Sequence, residues 1–220
     1  MKRQATFAQA VAALALLGLL LTGCRSMYNA TMEGVFGYEK RELFKKSVTS
    51  LQSEQKEAQK EFKDAMTRLK ELYAFQGGEL ESVYQKVKTS YERCETEAKD
   101  VRGRIEAMED IAASMFKEWD KEIQQYTNPN LAASSREQLR TTKDRYKQLS
   151  VTVRAAETAM QPVLAQLKDN VLFLKHNLNA SAIGSLQKEA TNIQSQIEQL
   201  LVRMNASIAE SDSFIKTLPK

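Results

Sequence analysis

Residues 80–119 read LESVYQKVKTSYERCETEAKDVRGRIEAMEDIAASMFKEW and place apolar side chains at alternating steps of three and four positions. This spacing is typical of a coiled-coil seam, because it keeps one face of a helix turned toward its neighbours. The seam positions are Leu80, Tyr84, Val87, Tyr91, Cys94, Ala98, Val101, Ile105, Met108, Ala112, Met115 and Trp119. Twelve consecutive matches predict one long helix that packs against other helices.

A segment with the same spacing precedes this stretch. It runs over residues 44–72 and ends before the pair Gly77-Gly78. Gln55 is its only polar seam residue, and a lone polar residue at such a position typically fixes the register of neighbouring helices. The long second segment continues less strictly through Tyr126 and is predicted to stop at Asn128-Pro129-Asn130, because proline restricts the residue before it.

Two more segments follow. The third is predicted to begin at Ser134, since Ser134 and Glu137 have the spacing of a capping box. Its seam continues to Leu174 on both sides of Pro162, so we expect a kink at the proline and not a break. The fourth segment starts near Ser181 and its seam extends to residue 214.

Four segments of similar length joined by short connections predict an all-α fold, an elongated antiparallel four-helix coiled-coil bundle over residues 39–218. Segments of about 45 residues would make a rod of roughly 65 to 70 Å. Only 8 Gly and 3 Pro occur in 220 residues, which disfavours a strand-rich fold with many turns. Dimerisation of open hairpins would also satisfy the pattern, and a homo-oligomer therefore remains compatible with it.

The N-terminus has the pattern of an export signal. Lys2 and Arg3 precede an apolar stretch over residues 10–21. This stretch is shorter than the roughly 20 residues that a membrane-spanning helix needs. A basic start, a short apolar core and small residues before a cleavage site predict that residues 1–23 are a cleaved signal peptide.

The four residues Leu21-Thr22-Gly23-Cys24 resemble the lipobox of bacterial lipoproteins. The resemblance implies that the Cys24 thiol receives a diacylglyceryl group and that the new N-terminus is then acylated, which anchors the protein in a membrane. Arg25 stands where Asp would favour retention at the inner membrane, so the implied location is the periplasmic face of the outer membrane. Residues 24–38 are then a membrane-proximal segment, which either rests on the lipid headgroups or forms a short helix at the base of the bundle.

Composition and charge argue against several kinds of site. One His and two Cys leave too few ligands for a protein-built zinc, haem or iron–sulfur centre, and we expect no cofactor and no metal. Removing residues 1–23 lowers the formal net charge from +4 to +2. The remaining charges alternate in sign along the helices, which does not favour nucleic-acid binding. Lipid on Cys24 would leave Cys94 without a disulfide partner in the chain.

Several stretches together resemble one family. They are residues 21–24, 77–80, 116–119 and 160–164, and the most distinctive is VLFLKHNLNA at residues 171–180. The family comprises lipoproteins of Gram-negative bacteria that are catalogued only as a domain of unknown function, and the similarity extends from the leader to about residue 218. It implies a helical shape and an envelope location, but no activity.

One apolar run exceeds what a helix seam needs. Four apolar residues follow one another over residues 171–174, which leaves Leu172 and Phe173 partly outward. The expected topology puts them at the same end as Tyr73 and Phe75, the end farthest from the lipid. With His176 these residues form a candidate docking patch for an envelope protein or a cell-wall partner. Alternatively, they only seal the end of the bundle.

The sequence therefore favours a lipid-anchored periplasmic protein with a structural, scaffolding or interaction role and no catalytic activity. One alternative is a bundle that binds or shapes a membrane surface, which would want a continuous basic face. Another is a cell-wall-related enzyme, which would need a cleft with converging polar groups.

Overall fold

A computed structural model describes residues 37–218. Its helices are α1 (Gly37–Tyr73), α2 (Leu80–Ile123), α3 (Pro129–His176), α4 (Ala180–Gln187) and α5 (Ala190–Thr217). The described range contains no strand, which confirms the all-α prediction for these residues. None of the described helices combines the length and apolar character that crossing a membrane requires.

The chain divides into two units, Met1–Lys40 and Arg41–Lys220, and all contacts given below lie within the second. The predicted signal peptide over residues 1–23 and the lipid-bearing Cys24 lie outside the described residues. So does most of the membrane-proximal segment 24–38.

The connection between α1 and α2 confirms the predicted break. Gly77 and Gly78 have φ angles of +152° and +114°, a backbone region that residues with a Cβ rarely adopt. This pair therefore allows the chain to leave α1 and enter α2 within residues 74–79.

The start of α3 differs from the prediction. The helix begins at Pro129 and not at Ser134, because the Asn128 side chain accepts hydrogen bonds from the backbone N–H groups of Asn130 (2.9 Å) and Leu131 (3.4 Å). Proline suits the first helical position, where its missing N–H costs nothing. The predicted capping partner Glu137 instead pairs with Arg140 inside the helix.

The fourth predicted segment is divided. Two helices, α4 and α5, occupy it, with an interruption at Lys188 and Glu189. Asn179 caps α4, since its side chain accepts a hydrogen bond of 2.9 Å from the backbone N–H of Ala182. The described residues therefore contain five helices where the sequence predicted four.

The predicted seams are largely buried. Every seam position from Phe44 to Leu72 is buried, including Gln55. Of the other predicted positions, Leu80, Tyr146 and Ala190 are half-buried and Tyr126 is exposed, while the rest are buried. Because helix stability in water comes mainly from packing an apolar face, these seams account for most of the helical structure.

Polar contacts show which helices are neighbours. Between α1 and α2, Ser90 donates to Asp64 (3.1 Å), and Arg104 pairs with Glu54 (3.2 Å). These contacts make α1 and α2 neighbours.

Helix α3 is a neighbour of both α2 and α5. Arg102 of α2 pairs with Glu157 of α3 (2.7 Å), and Trp119 donates to Ser135 (2.9 Å). Helices α3 and α5 are also in contact.

Four helices contribute rings to one aromatic cluster. Phe44 of α1 lies edge to face with Phe116 of α2, Tyr146 of α3 and Phe214 of α5, at centroid distances of 6.2, 5.7 and 5.4 Å. This geometry is the favourable one for aromatic pairs. The cluster joins the beginning of α1 to the end of α5.

A polar layer interrupts the apolar core between α1 and α5. The buried side-chain amide of Gln55 donates to the hydroxyl of Ser207 (2.8 Å), while its carbonyl oxygen has no partner. Ser211 donates to the backbone carbonyl of Ser207 (2.9 Å). The layer sets one α1 residue opposite one α5 residue, as a polar seam position does when it fixes register.

Substituting only one partner of this layer is expected to destabilise the protein more than substituting both. Ser207→Ala should lower the free energy of unfolding by about 1 to 3 kcal/mol, because it leaves the Gln55 amide buried without an acceptor. The double variant Gln55→Leu and Ser207→Ala should recover most of that loss, since apolar replacement of both partners is nearly neutral. Urea denaturation of the full chain measures both values.

The exposed pair of Gln59 and Asn205, joined at 2.7 Å, provides a matched control. Gln59→Leu with Asn205→Ala should change the free energy of unfolding by less than about 0.5 kcal/mol. A double variant at Gln55 and Ser207 that is less stable than the single variant would contradict the account of the layer.

Candidate functional site

A groove lies between α3 and the α4–α5 connection, at the end where α1 stops. Its volume is about 420 Å³. The lining residues, called the end groove below, are Gln166, Asp169, Asn170, Phe173, Leu186, Glu189 and Ile193. Leu186 and Ile193 are buried and form apolar surface, while Phe173 is 39% exposed. The groove therefore combines a buried apolar part with an accessible aromatic ring.

The last turns of α3 explain why this ring is accessible. Val171 and Leu174 belong to the buried face, as the three-and-four spacing requires. The two residues between them fall on other faces, so Leu172 is 48% exposed and Phe173 is 39% exposed. Exposure of Leu172 and Phe173 agrees with what the run of four apolar residues predicts.

Two carboxylates accompany the apolar surface. Asp169 comes from α3, and Glu189 is the N-cap residue of α5 without a side-chain hydrogen bond to that helix. Neither forms an ion pair with any residue in the described range. Both charges are therefore available to a group that enters the groove.

Tyr73 links the end of α1 to the groove. Its side chain is buried, and its hydroxyl makes no hydrogen bond of ordinary geometry. Burial is the main reason why the pKa of Tyr73 is raised to about 12. The side chain of Asn170 lowers this pKa, and the negative charge of Glu189 raises it. The side chain of Gln187 donates to the Tyr73 backbone carbonyl. Tyr73 therefore lies within the core next to residues that line the groove.

The structure divides the predicted docking patch. Tyr73 is buried, and Phe75 is half-buried against the core. Leu172, Phe173 and His176 are exposed, but only Phe173 lines the end groove. The accessible part of the patch is therefore the end of α3.

Leu186 and Ile193 of the groove belong to the seam predicted for the fourth segment, and both are buried. Asp169 and Glu189 carried no recognisable signal, because their proximity depends on how α3 meets the α4–α5 connection. Asn170 did carry a signal, because it lies three residues after Leu167 and four before Leu174, where the spacing of the seam calls for a buried residue, and it is buried. A polar residue at such a position indicates a polar group within the core.

A second groove differs in its electrostatics. It lies between α2 and α3, has a volume of about 680 Å³ and includes Tyr91, Glu95 and Arg102. There the Tyr91 hydroxyl donates to Glu95 (2.8 Å), and Arg102 is held by Glu157. These three groups therefore already have partners, whereas Lys99 and Lys168, which also line this groove, form no ion pair with any described residue, so its free charges are positive and those of the end groove are negative.

Cys94 is part of the core. Its side chain is fully buried within the seam of α2, and burial raises the pKa of the thiol. A thiol in such surroundings is poorly ionised and therefore weakly nucleophilic. Within residues 37–218, no cluster of three or more His, Cys, Asp or Glu side chains is arranged to hold a metal ion.

Comparison with known proteins gives one match. The model of a family described as "Protein of unknown function (DUF2959)" matches residues 28–218, which confirms the predicted resemblance to a family of unknown function over these residues and leaves residues 21–24 outside the match. No curated protein and no solved structure matches the chain.

Proposed function

The chain belongs to this family of proteins of unknown function, DUF2959, so we propose its role from its own residues. We propose that it is a lipid-anchored protein of the periplasmic face of the outer membrane, with a structural or scaffolding role and no catalytic activity. In this proposal the helical body holds a docking surface away from the membrane, where it meets an envelope protein.

The helix contacts support a closed antiparallel four-helix coiled-coil bundle as the body, with α4 and α5 together as the fourth member. Neighbouring helices run in opposite directions in the α1–α2 and α2–α3 pairs. The same holds for α1 and α5, where Gln52 meets Asp212 and Gln59 meets Asn205. The shared aromatic cluster is consistent with closure, because it draws on all four long helices.

The lipid anchor is supported by the sequence around Cys24. Residues 21–24 have the lipobox pattern, and the residue after the cysteine is Arg25, which favours the outer membrane over the inner. Several acyl chains on one residue would give firm attachment, since each buried methylene contributes about 0.8 kcal/mol.

The observation that carries the proposal is the exposed apolar surface at the end of α3. Leu172 and Phe173 are both more than a third exposed, next to a groove with unpaired carboxylates. Clustered apolar exposure of this kind is typical of interaction surfaces.

Site-specific crosslinking in living cells tests this role. A photo-crosslinking amino acid replaces Phe173 in one variant and Val202, which is 68% exposed on α5, in a control. We expect a discrete crosslinked product from position 173 that is absent or much weaker at position 202, and mass spectrometry identifies the captured protein. The same products from both positions, or none from 173, would count against a docking role for this end.

A further inference from the structure

We propose that the end groove binds a protein segment in which an aliphatic or aromatic side chain stands next to a lysine or arginine. This inference deepens the proposed function, on which it rests, because it names the chemistry of the partner at the same end of the molecule. It follows from the apolar surface, the charges and the buried amide of the groove.

The apolar part of the groove fits a side chain of the partner. The side chains of Leu186 and Ile193 form the apolar floor of the groove and are themselves buried, and the Phe173 ring beside them is 39% exposed. A volume of about 420 Å³ is within the range of roughly 300 to 1,000 Å³ that is usual for binding clefts. An apolar side chain placed there would remove the Phe173 ring from water, which is the favourable direction.

The charges that line the groove indicate that the partner carries a positive charge. Asp169 and Glu189 approach the groove from α3 and from the start of α5, and neither has an ion-pair partner in the described range. The adjacent residues Lys168 and Lys188 make no ion pair with them. A cation on the partner would complement the two carboxylates, whereas an anionic segment or an anionic lipid headgroup would be repelled.

Asn170 gives the groove a means of binding a polypeptide. It is buried, lines the groove and carries both a carbonyl acceptor and an NH₂ donor, and part of this amide faces the Tyr73 hydroxyl. Main-chain groups of an incoming segment require such partners when they leave water. A lipid tail has no group that can form a hydrogen bond with this amide. A protein segment is therefore the favoured occupant.

Peptide binding to the full chain in detergent tests the proposal. The probes are a fluorescein-labelled peptide Gly-Lys-Leu-Phe-Lys-Gly and its charge-reversed counterpart Gly-Glu-Leu-Phe-Glu-Gly, followed by fluorescence anisotropy. We expect the basic peptide to bind at least about tenfold more tightly than the acidic one, and its affinity to fall as salt is raised.

Matched variants locate the binding. The double variant Asp169→Asn and Glu189→Gln should weaken the basic peptide about tenfold, whereas Asp120→Asn with Glu198→Gln removes the same charge from exposed positions elsewhere and should change it less than twofold. Phe173→Ser should also weaken binding, and Val202→Ser should not. Glu189→Gln could alter the start of α5, and circular dichroism would detect a loss of helix. In that case the single variant Asp169→Asn, which lies within α3, replaces the double variant in the binding test.

Three outcomes would overturn the proposal. Equal binding of the two peptides would remove the argument from charge, and equal losses in the two double variants would indicate general attraction by net charge. Self-association that Asp169→Asn abolishes would make a second copy of the chain the occupant. Because this test needs neither living cells nor the lipid on Cys24, its failure is distinguishable from failure of the docking role in vivo.

Discussion

Replacing Cys24 with serine is expected to abolish the attachment of lipid and to leave residues 1–23 on the chain. Serine lacks the thiol that would form the thioether to diacylglycerol, so neither lipid attachment nor the cleavage that depends on it would follow. Each acyl methylene contributes about 0.8 kcal/mol to membrane binding, so the lipid would be the main anchor of the processed protein. Incorporation of labelled palmitate measures the loss of lipid, and the mass of the chain shows whether residues 1–23 were removed.

Cys94→Ser is the matched control. It also replaces a cysteine with serine, but at a buried core position. That variant should keep its palmitate label and its membrane association. If Cys24→Ser still incorporated palmitate, or if its leader were still removed at the same position, the lipid anchor on Cys24 would have to be abandoned.

Phe44→Ala is expected to lower the free energy of unfolding by about 3 to 5 kcal/mol. Phe44 is fully buried and lies edge to face with Phe116, Tyr146 and Phe214. The substitution would therefore leave a cavity where four helices meet and would remove three aromatic pairs. Domains are commonly stable by only about 5 to 15 kcal/mol, so the variant should unfold at a much lower denaturant concentration.

Phe173→Ala removes the same side chain from an exposed position and is the control. Its free energy of unfolding should change by less than about 1 kcal/mol, because the ring is 39% exposed. Chemical denaturation of the full chain, followed by circular dichroism, compares the two variants. Similar losses in both would mean that the aromatic cluster does not hold the helices together.

The seams were predictable from sequence because burial follows a simple period. Steps of three and four residues select one helix face, and the positions so selected in α1, from Phe44 to Leu72, are all buried. The turn at Gly77-Gly78 was predictable for a similar reason, since only glycine readily adopts the backbone angles found there.

The ends of the helices were harder to predict. Proline at position 129 disfavours helix before it and favours helix after it, so the same residues that were read as the stop of α2 are the start of α3. The interruption at Lys188 and Glu189 contains neither glycine nor proline. Local rules therefore carry no signal there, and the division of the last segment into α4 and α5 had to come from the structure.

The candidate site was predictable only in part. The exposure of Leu172 and Phe173 follows from α3 alone, because a run of four apolar residues cannot all face the core. Burial of Tyr73 depends instead on side chains from distant segments, among them Gln187 and Asn170. The end groove arises from the same long-range contacts, which explains why its carboxylates went unnoticed in the sequence.

The meeting of Phe44 and Phe214 makes the protein's resistance to force depend on direction. Tension applied between the start of α1 and the end of α5 would act on two adjacent points and would peel these helices apart one contact at a time. Tension applied between the start of α1 and the Gly77-Gly78 turn would load the contacts along the helices together. Shearing many contacts at once needs more force than peeling them one by one, so we expect the second direction to be the stronger.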